Sequence, residues 1–165
     1  MNSSPSSVAG FNLAELMVVV AIAGILAAIA LPSFKSLSES QRVKSASFDL
    51  YALISVARSE AIKRNSDVTI APVMAGGKLD RIDVTAADGT LLHSKSAPKS
   101  VGIYPSAAGG VTYKRNGRTS TGATVTLQID VAGSGTGGVA SPPTAHVRCI
   151  TLGLGGRPSI RQGAC

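Results

Sequence analysis

Residues 10–24 read GFNLAELMVVVAIAG, the opening of an apolar block that nevertheless carries a carboxylate, Glu15. From Leu16 to Leu31 no side chain is charged or strongly polar. Counted from Phe11, the block is 21 residues long and is interrupted only by Asn12 and Glu15. A helix of about 20 residues spans the roughly 30 Å of a bilayer's hydrocarbon core, so this is a membrane-span candidate. A secretory signal peptide fits the stretch less well. Residues 1–10 (MNSSPSSVAG) contain no Lys or Arg, and the small residue that closes the polar piece, Gly10, precedes the apolar run instead of following it.

Beyond Pro32 the helical period persists in a different chemistry. Phe34, Leu37, Val43, Ala46, Leu50, Leu53, Ile54, Ala57 and Ala61 mostly fall three or four apart, with Lys35, Glu39, Arg42, Lys44, Asp49 and Arg58 between them. That is an amphipathic stripe. Glu60 and Arg64 form an i,i+4 pair in the favourable order, and Asn65-Ser66 ends the helix. Apolar residues recur on both sides of Pro32, so the proline is expected to kink one helix of roughly 50 residues rather than stop it. From Asp67 the period becomes two. Strands are expected at residues 68–71, 82–85, 91–94, 111–113, 124–131, 146–152 and 158–161, with turns at 75–77, Asp88-Gly89 and Asn116-Gly117. In 124–131 the residues Val125, Leu127, Ile129 and Val131 alternate onto one face. The fold class is α+β: one long helix, then six or seven short strands, with the amphipathic half of the helix covering a sheet or sandwich. The expected divisions are 1–10, 11–32, 33–66 and 67–165.

The net charge of +7 is unevenly placed. Residues 1–94 balance eight basic against eight acidic side chains, whereas residues 95–165 carry eight basic side chains against Asp130 alone. This asymmetry suits an anionic partner, nucleic acid or a lipid surface, and equally a basic protein without one. Cys149 and Cys165 are able to pair if the domain lies outside the cytoplasm; otherwise they are two free thiols. Their spacing is no metal signature. Residues 133–138 (GSGTGG) match GxGxxG, but Val-Ala-Ser-Pro-Pro follows where a helix is required, so they read as a loop. Asp80, Asp83 and Asp88 lack the spacing of a calcium loop and read as a solvated edge. His93 and His146 have no third partner, and no nucleophile–base arrangement stands out. The expectation is no enzyme, no cofactor and no metal.

The segment from Gly10 through Phe11, Glu15 and the apolar helix, with Pro32 beyond it, resembles the class III signal of type IV prepilins and type II secretion pseudopilins. In those families a short polar leader ends in glycine, phenylalanine follows, and glutamate is the fifth mature residue. The resemblance implies that a prepilin peptidase cleaves between Gly10 and Phe11 and methylates the new Phe11 amine. It implies an inner-membrane, single-pass subunit with a periplasmic C-terminal domain, which then enters a pilus or pseudopilus among other pilins. Glu15 is implied to meet the Phe11 amine of a neighbouring subunit. An unpaired charge in hydrocarbon costs roughly 3 kcal/mol or more, so such a pair sets axial register. The leader departs from the pattern in lacking basic residues, and Asn12 and Ala14 stand where Thr and Ile are more frequent.

Residues 53–64 (LISVARSEAIKR), with Val68-Thr69-Ile70, resemble the helix end and first strand of FimT/GspH-type minor pilins. Residues 149–152 (CITL), Gly156-Arg157 and Cys165 are similar to the same group. Some FimT-like members bind DNA for natural transformation through a basic Gly-Arg-x-Arg motif. Here Gly156 and Arg157 match, but Arg161 stands one residue pair too far on, in Gly-Arg-x-x-x-Arg. Charge points to the same portion of the chain: Lys114, Arg115 and Arg118 flank the Asn116-Gly117 turn, whose tip is expected to present three cations. Phosphate contacts need only Lys or Arg, and Tyr113 is the only ring nearby, which argues against a base-stacking platform. Two readings result: a minor pilin of the pilus initiation complex or tip that binds double-stranded DNA, or a GspH-type minor pseudopilin of type II secretion whose basic face meets other pilins or lipid.

Overall fold

The structure is a computed structural model, and it describes residues 12–75, 78–98, 100–106, 109–121, 123–131 and 146–165. The expected cleavage pair Gly10 and Phe11 and the glycine-rich loop 133–138 lie outside these residues. One helix, α1 (Leu13–Arg64), is followed by eight strands. By compactness the chain divides into two units, one reaching Ser38 and the other Glu39–Cys165.

In the first unit α1 begins under a side-chain cap: Asn12 Oδ1 accepts the Ala14 N–H at 3.3 Å. Glu15 lies in the first turn, where a carboxylate suits the positive end of the helix dipole. Large apolar side chains from Leu16 to Leu31 are more than half exposed all round the helix. This part of α1 is long and apolar enough to cross a membrane. The helix continues through Pro32 without a break.

In the second unit the same helix has one buried face. Val43, Ala46, Leu50, Ile54, Ala57 and Ala61 are all under 5% exposed. Their spacing of three or four places them on a single stripe. Asn65 ends the helix at φ 50°, with its N–H on Ile62 O and the Ser66 N–H on Ala61 O. This left-handed cap, a conformation that asparagine tolerates, ends the helix one turn past the last buried residue of the stripe, Ala61.

The buried face meets two antiparallel sheets. One has the order β3 (Leu91–Ser96), β2 (Lys78–Ala86), β1 (Val68–Ala75), β5 (Val111–Tyr113). The other has the order β4 (Val101–Pro105), β6 (Val125–Val131), β7 (Arg148–Leu152), β8 (Pro158–Gln162). Their inner residues, among them Val68, Val84, Tyr113, Ile129, Ile150 and Leu152, close one core with the helix stripe.

Two findings differ from the sequence reading. The eighth strand is β4, whose buried face is only Val101 and Ile103, with Gly102 between them. A side chain at position 102 would meet the Tyr104 ring, which would have to move aside. In β6 the buried set is not simply the alternating apolar one. Asp130 is fully buried, and its Oδ1 accepts the Val131 N–H at 2.7 Å. The single acid of the basic C-terminal portion is therefore withdrawn from solvent.

Candidate nucleic-acid interface

The two basic segments singled out by sequence are about 40 residues apart, and the fold brings them into contact. The first is the turn after β5. The Lys114 N–H donates to Arg118 O at 2.8 Å and the Gly117 N–H to Lys114 O at 2.7 Å. Asn116 Oδ1 accepts the Arg118 N–H at 3.1 Å, and Gly117 takes φ 73°. Only glycine adopts that conformation without strain. The second segment is the loop between β7 and β8, closed by the Gly156 N–H on Gly153 O at 2.9 Å, with Gly156 also at φ 73°.

At their junction, a side chain at position 156 would fall on the Gly117 carbonyl and against the Tyr113 ring. Tyr113, fully buried on β5, donates its hydroxyl to Gly156 O at 3.1 Å. Burial pushes this hydroxyl up to about 12, against a smaller opposing pull from the Arg58 guanidinium. Arg58, on α1, donates through Nε to Gly117 O at 2.9 Å and through Nη2 to Gly155 O at 3.4 Å. It touches both loops from one side chain.

Around this junction Arg115, Arg118 and Arg157 are exposed. Lys114, Arg115 and Arg118 are all exposed; Lys114 also pairs through Nζ with Asp67 at 2.8 Å, whereas Arg115 and Arg118 carry no ion pair among the described residues. Arg161 is not brought to the loops. It pairs across from Cys149 near the far end of β8, roughly 13 Å of extended chain beyond Arg157, and its Nη2 donates to Cys165 O at 3.2 Å. Cys149 and Cys165 form a disulfide over a separation of 16 residues. Near the helix end, Glu60 holds Arg64 at 2.7 Å and Lys63 at 4.0 Å. The Arg64 hydrogen bond, with the charges of Arg64 and Lys63, holds the Glu60 carboxyl below its usual range.

Sequence reasoning missed Arg58, which it placed among the polar residues of the helix surface. Its place four residues after Ile54 and three before Ala61, both buried, sets it on the border of the buried stripe, but does not reveal its partners. On the acidic edge Asp80 and Asp88 are exposed, as expected of a solvated edge, but Asp83 is not: its side chain is 15% exposed. Arg81 bridges Asp80 at 3.1 Å and Asp83 at 3.2 Å, Ser94 Oγ donates to Asp83 at 2.6 Å, and Asp88 accepts the Thr90 N–H. Among the described residues no group of three His, Cys, Asp or Glu side chains could hold a metal ion.

A long helix with an apolar first half, laid along antiparallel strands by its second half, is the type IV pilin fold. Residues 46–156 match the model of the family described as type II transport protein GspH, and the chain belongs to that family. It is a pilin-like protein of the GspH type. Two curated proteins of Pseudomonas aeruginosa, each described as a fimbrial protein, are 37% identical over 83 residues, 50% of this chain and 51% of theirs. The chain thus spans about half the length of those relatives. Crystal structures of the type IV minor pilin FimU of Pseudomonas aeruginosa in two crystal forms share the fold. One superposes with TM-score 0.58 at 19% identity over 76% of this chain and 92% of FimU. The other gives 0.56 at 19% identity over 72% and 91%.

Proposed function

We propose that this chain is a minor type IV pilin of the pilus initiation complex or tip, and that it captures double-stranded DNA for uptake through its basic end. The supporting observation is the contact of Gly156 with the Gly117 carbonyl, which puts Arg115, Arg118 and Arg157 around one junction. The only acid of residues 95–165 is buried elsewhere. Guanidinium groups that carry no ion pair among the described residues suit phosphate oxygens, and because the one ring at the junction, Tyr113, is fully buried they suit a duplex backbone better than unstacked bases. Lys114 and Arg161 contribute less in this reading, because each already has a partner within the fold.

The proposal extends to the handling of the chain. A prepilin peptidase cleaves between Gly10 and Phe11 and methylates Phe11. The apolar helix anchors the subunit in the inner membrane with the C-terminal domain in the periplasm, Pro32 bends it, and Glu15 pairs with a neighbour's amine on assembly.

A mobility-shift series with the detergent-solubilised chain tests the DNA reading. Three phosphate contacts give a slope of log K against log salt near −2.7, a loss of roughly 40-fold between 50 and 200 mM salt. Arg157→Gln is expected to lower the slope by about 0.9. An absence of binding at 50 mM salt rejects DNA capture. The second reading, a minor pseudopilin of type II secretion, is favoured by the family description. It predicts that deletion abolishes export of secreted proteins while transformation and twitching persist.

A further inference from the structure

We infer that Arg58 is the positioning residue that locks the two basic loops into one binding surface. The inference rests on the DNA-capture reading for its purpose, but its geometry stands independently. Arg58 lies nearly two turns before the end of α1, between the core residues Ala57 and Ala61, and it is half-buried. From there its guanidinium reaches two carbonyl groups 38 residues apart in sequence, Gly117 O and Gly155 O. An arginine does this because its fork carries several donors in fixed directions, whereas an ammonium is a single point.

The loops have few other means of staying together. Neither belongs to a shared sheet: the first follows β5 in one sheet, and the second joins β7 to β8 in the other. Between them stand the close approach of Gly156 to the Gly117 carbonyl and the Tyr113 hydroxyl on Gly156 O. Arg58 adds the only charged group that bonds both loops among the described residues. Because it holds the carbonyl side of each loop against the helix, Arg115, Arg118 and Arg157 are left on the outer side, where all three are exposed. A site carried on loops gains precision when a rigid element holds its backbone, and α1 is that element here.

The role separates from a simple contribution of positive charge. If Arg58 acted through its charge, Arg58→Lys would bind DNA as the wild type does. As a positioning residue it gives a different pattern. Arg58→Lys and Arg58→Met both weaken binding about as much as Arg157→Gln, and both lower the salt slope by about 0.9, the share of one phosphate contact. Adding Arg157→Gln to Arg58→Lys then costs little more, because the second loop has already left the surface; residues that act as a unit are non-additive in this way.

The experiment is hydrogen exchange on the full chain in detergent, paired with the mobility shift. In Arg58→Met, peptides covering 114–118 and 153–157 are expected to exchange roughly tenfold faster, while the β1–β2 ladder keeps its protection. Unchanged exchange in either loop overturns the inference, whatever DNA does. Loss of protection throughout, β1–β2 included, also overturns it, since Arg58 would then be a general stabiliser. Full retention of DNA affinity by Arg58→Lys overturns it in favour of charge. A wild-type chain that binds no DNA, but whose two loops loosen together in Arg58→Met, upholds the coupling and rejects the DNA reading instead.

Discussion

At Tyr113 a single hydroxyl connects the core to the basic end. The ring is fully buried, and the hydroxyl donates to Gly156 O at 3.1 Å. Gly156 itself must be glycine twice over, for its φ of 73° and for the Gly117 carbonyl that occupies its side-chain position. The buried hydroxyl is pushed up to about 12, against about 10 for an unfolded tyrosine. Below pH 10 the group is neutral in both states and stability is unaffected. Between about pH 10 and 12 the unfolded chain ionises first, so stability falls as pH rises through that window. Tyr113→Phe removes this dependence and leaves the Gly156 carbonyl without its donor, a loss of roughly 1–3 kcal/mol at neutral pH. Urea midpoints for the two proteins are therefore expected to converge from pH 10 to 12. Parallel decline of both midpoints would show that Tyr113 does not titrate in this way.

At the scale of elements, β8 is an edge strand of five residues, Pro158–Gln162, held on one side by β7. The Cys149–Cys165 disulfide closes the chain beyond it onto the buried core of β7. A bridge over 16 residues restricts the unfolded chain by about 3 kcal/mol in the chain-entropy estimate. Cys165→Ser, or reduction of the wild type, should lower Tm by about 10 °C in a unit of this size; the same Tm with and without reductant would contradict this. Much at this scale was legible beforehand. The stripe from Val43 to Ala61 marks the helix, and Asp88-Gly89 and Asn116-Gly117 mark turns that do form, because these signals are local. Strand β4 was not legible, since its buried face rests on two residues, Val101 and Ile103, too short a run for a period to stand out. The candidate site was legible only in its parts. Nothing near Lys114 in sequence announces Asp67, and nothing near Arg58 announces Gly117 and Gly155. Periodicity tells a buried face from a wet one, but it does not tell a solvated arginine from one that reaches tertiary carbonyls. The contact of two loops from different sheets is a product of the whole core.

At the scale of the whole molecule, one helix serves two environments in the proposed reading, membrane and filament, and Glu15 is where they conflict. Its carboxylate lies in the first turn of α1, followed from Leu16 to Leu31 by side chains without charge. A carboxylate near a helix end reaches the membrane interface at modest cost, while the same group deep in a filament of packed helices has no water to solvate it. In the proposed assembly a neighbour's amine is the counter-charge, and burial without that amine would cost several kcal/mol. Glu15→Val removes the demand for a partner and also the registration it provides. The variant is expected to insert in the membrane and to be processed at Gly10 like the wild type, because neither step requires the carboxylate. Its incorporation into filaments is expected to fall at least tenfold, read as the ratio of sheared-filament to membrane signal on an immunoblot. Wild-type incorporation would mean that Glu15 is solvated at the interface in both states and sets no register. Loss of the protein from the membrane fraction would place the need for Glu15 at insertion, before any filament forms.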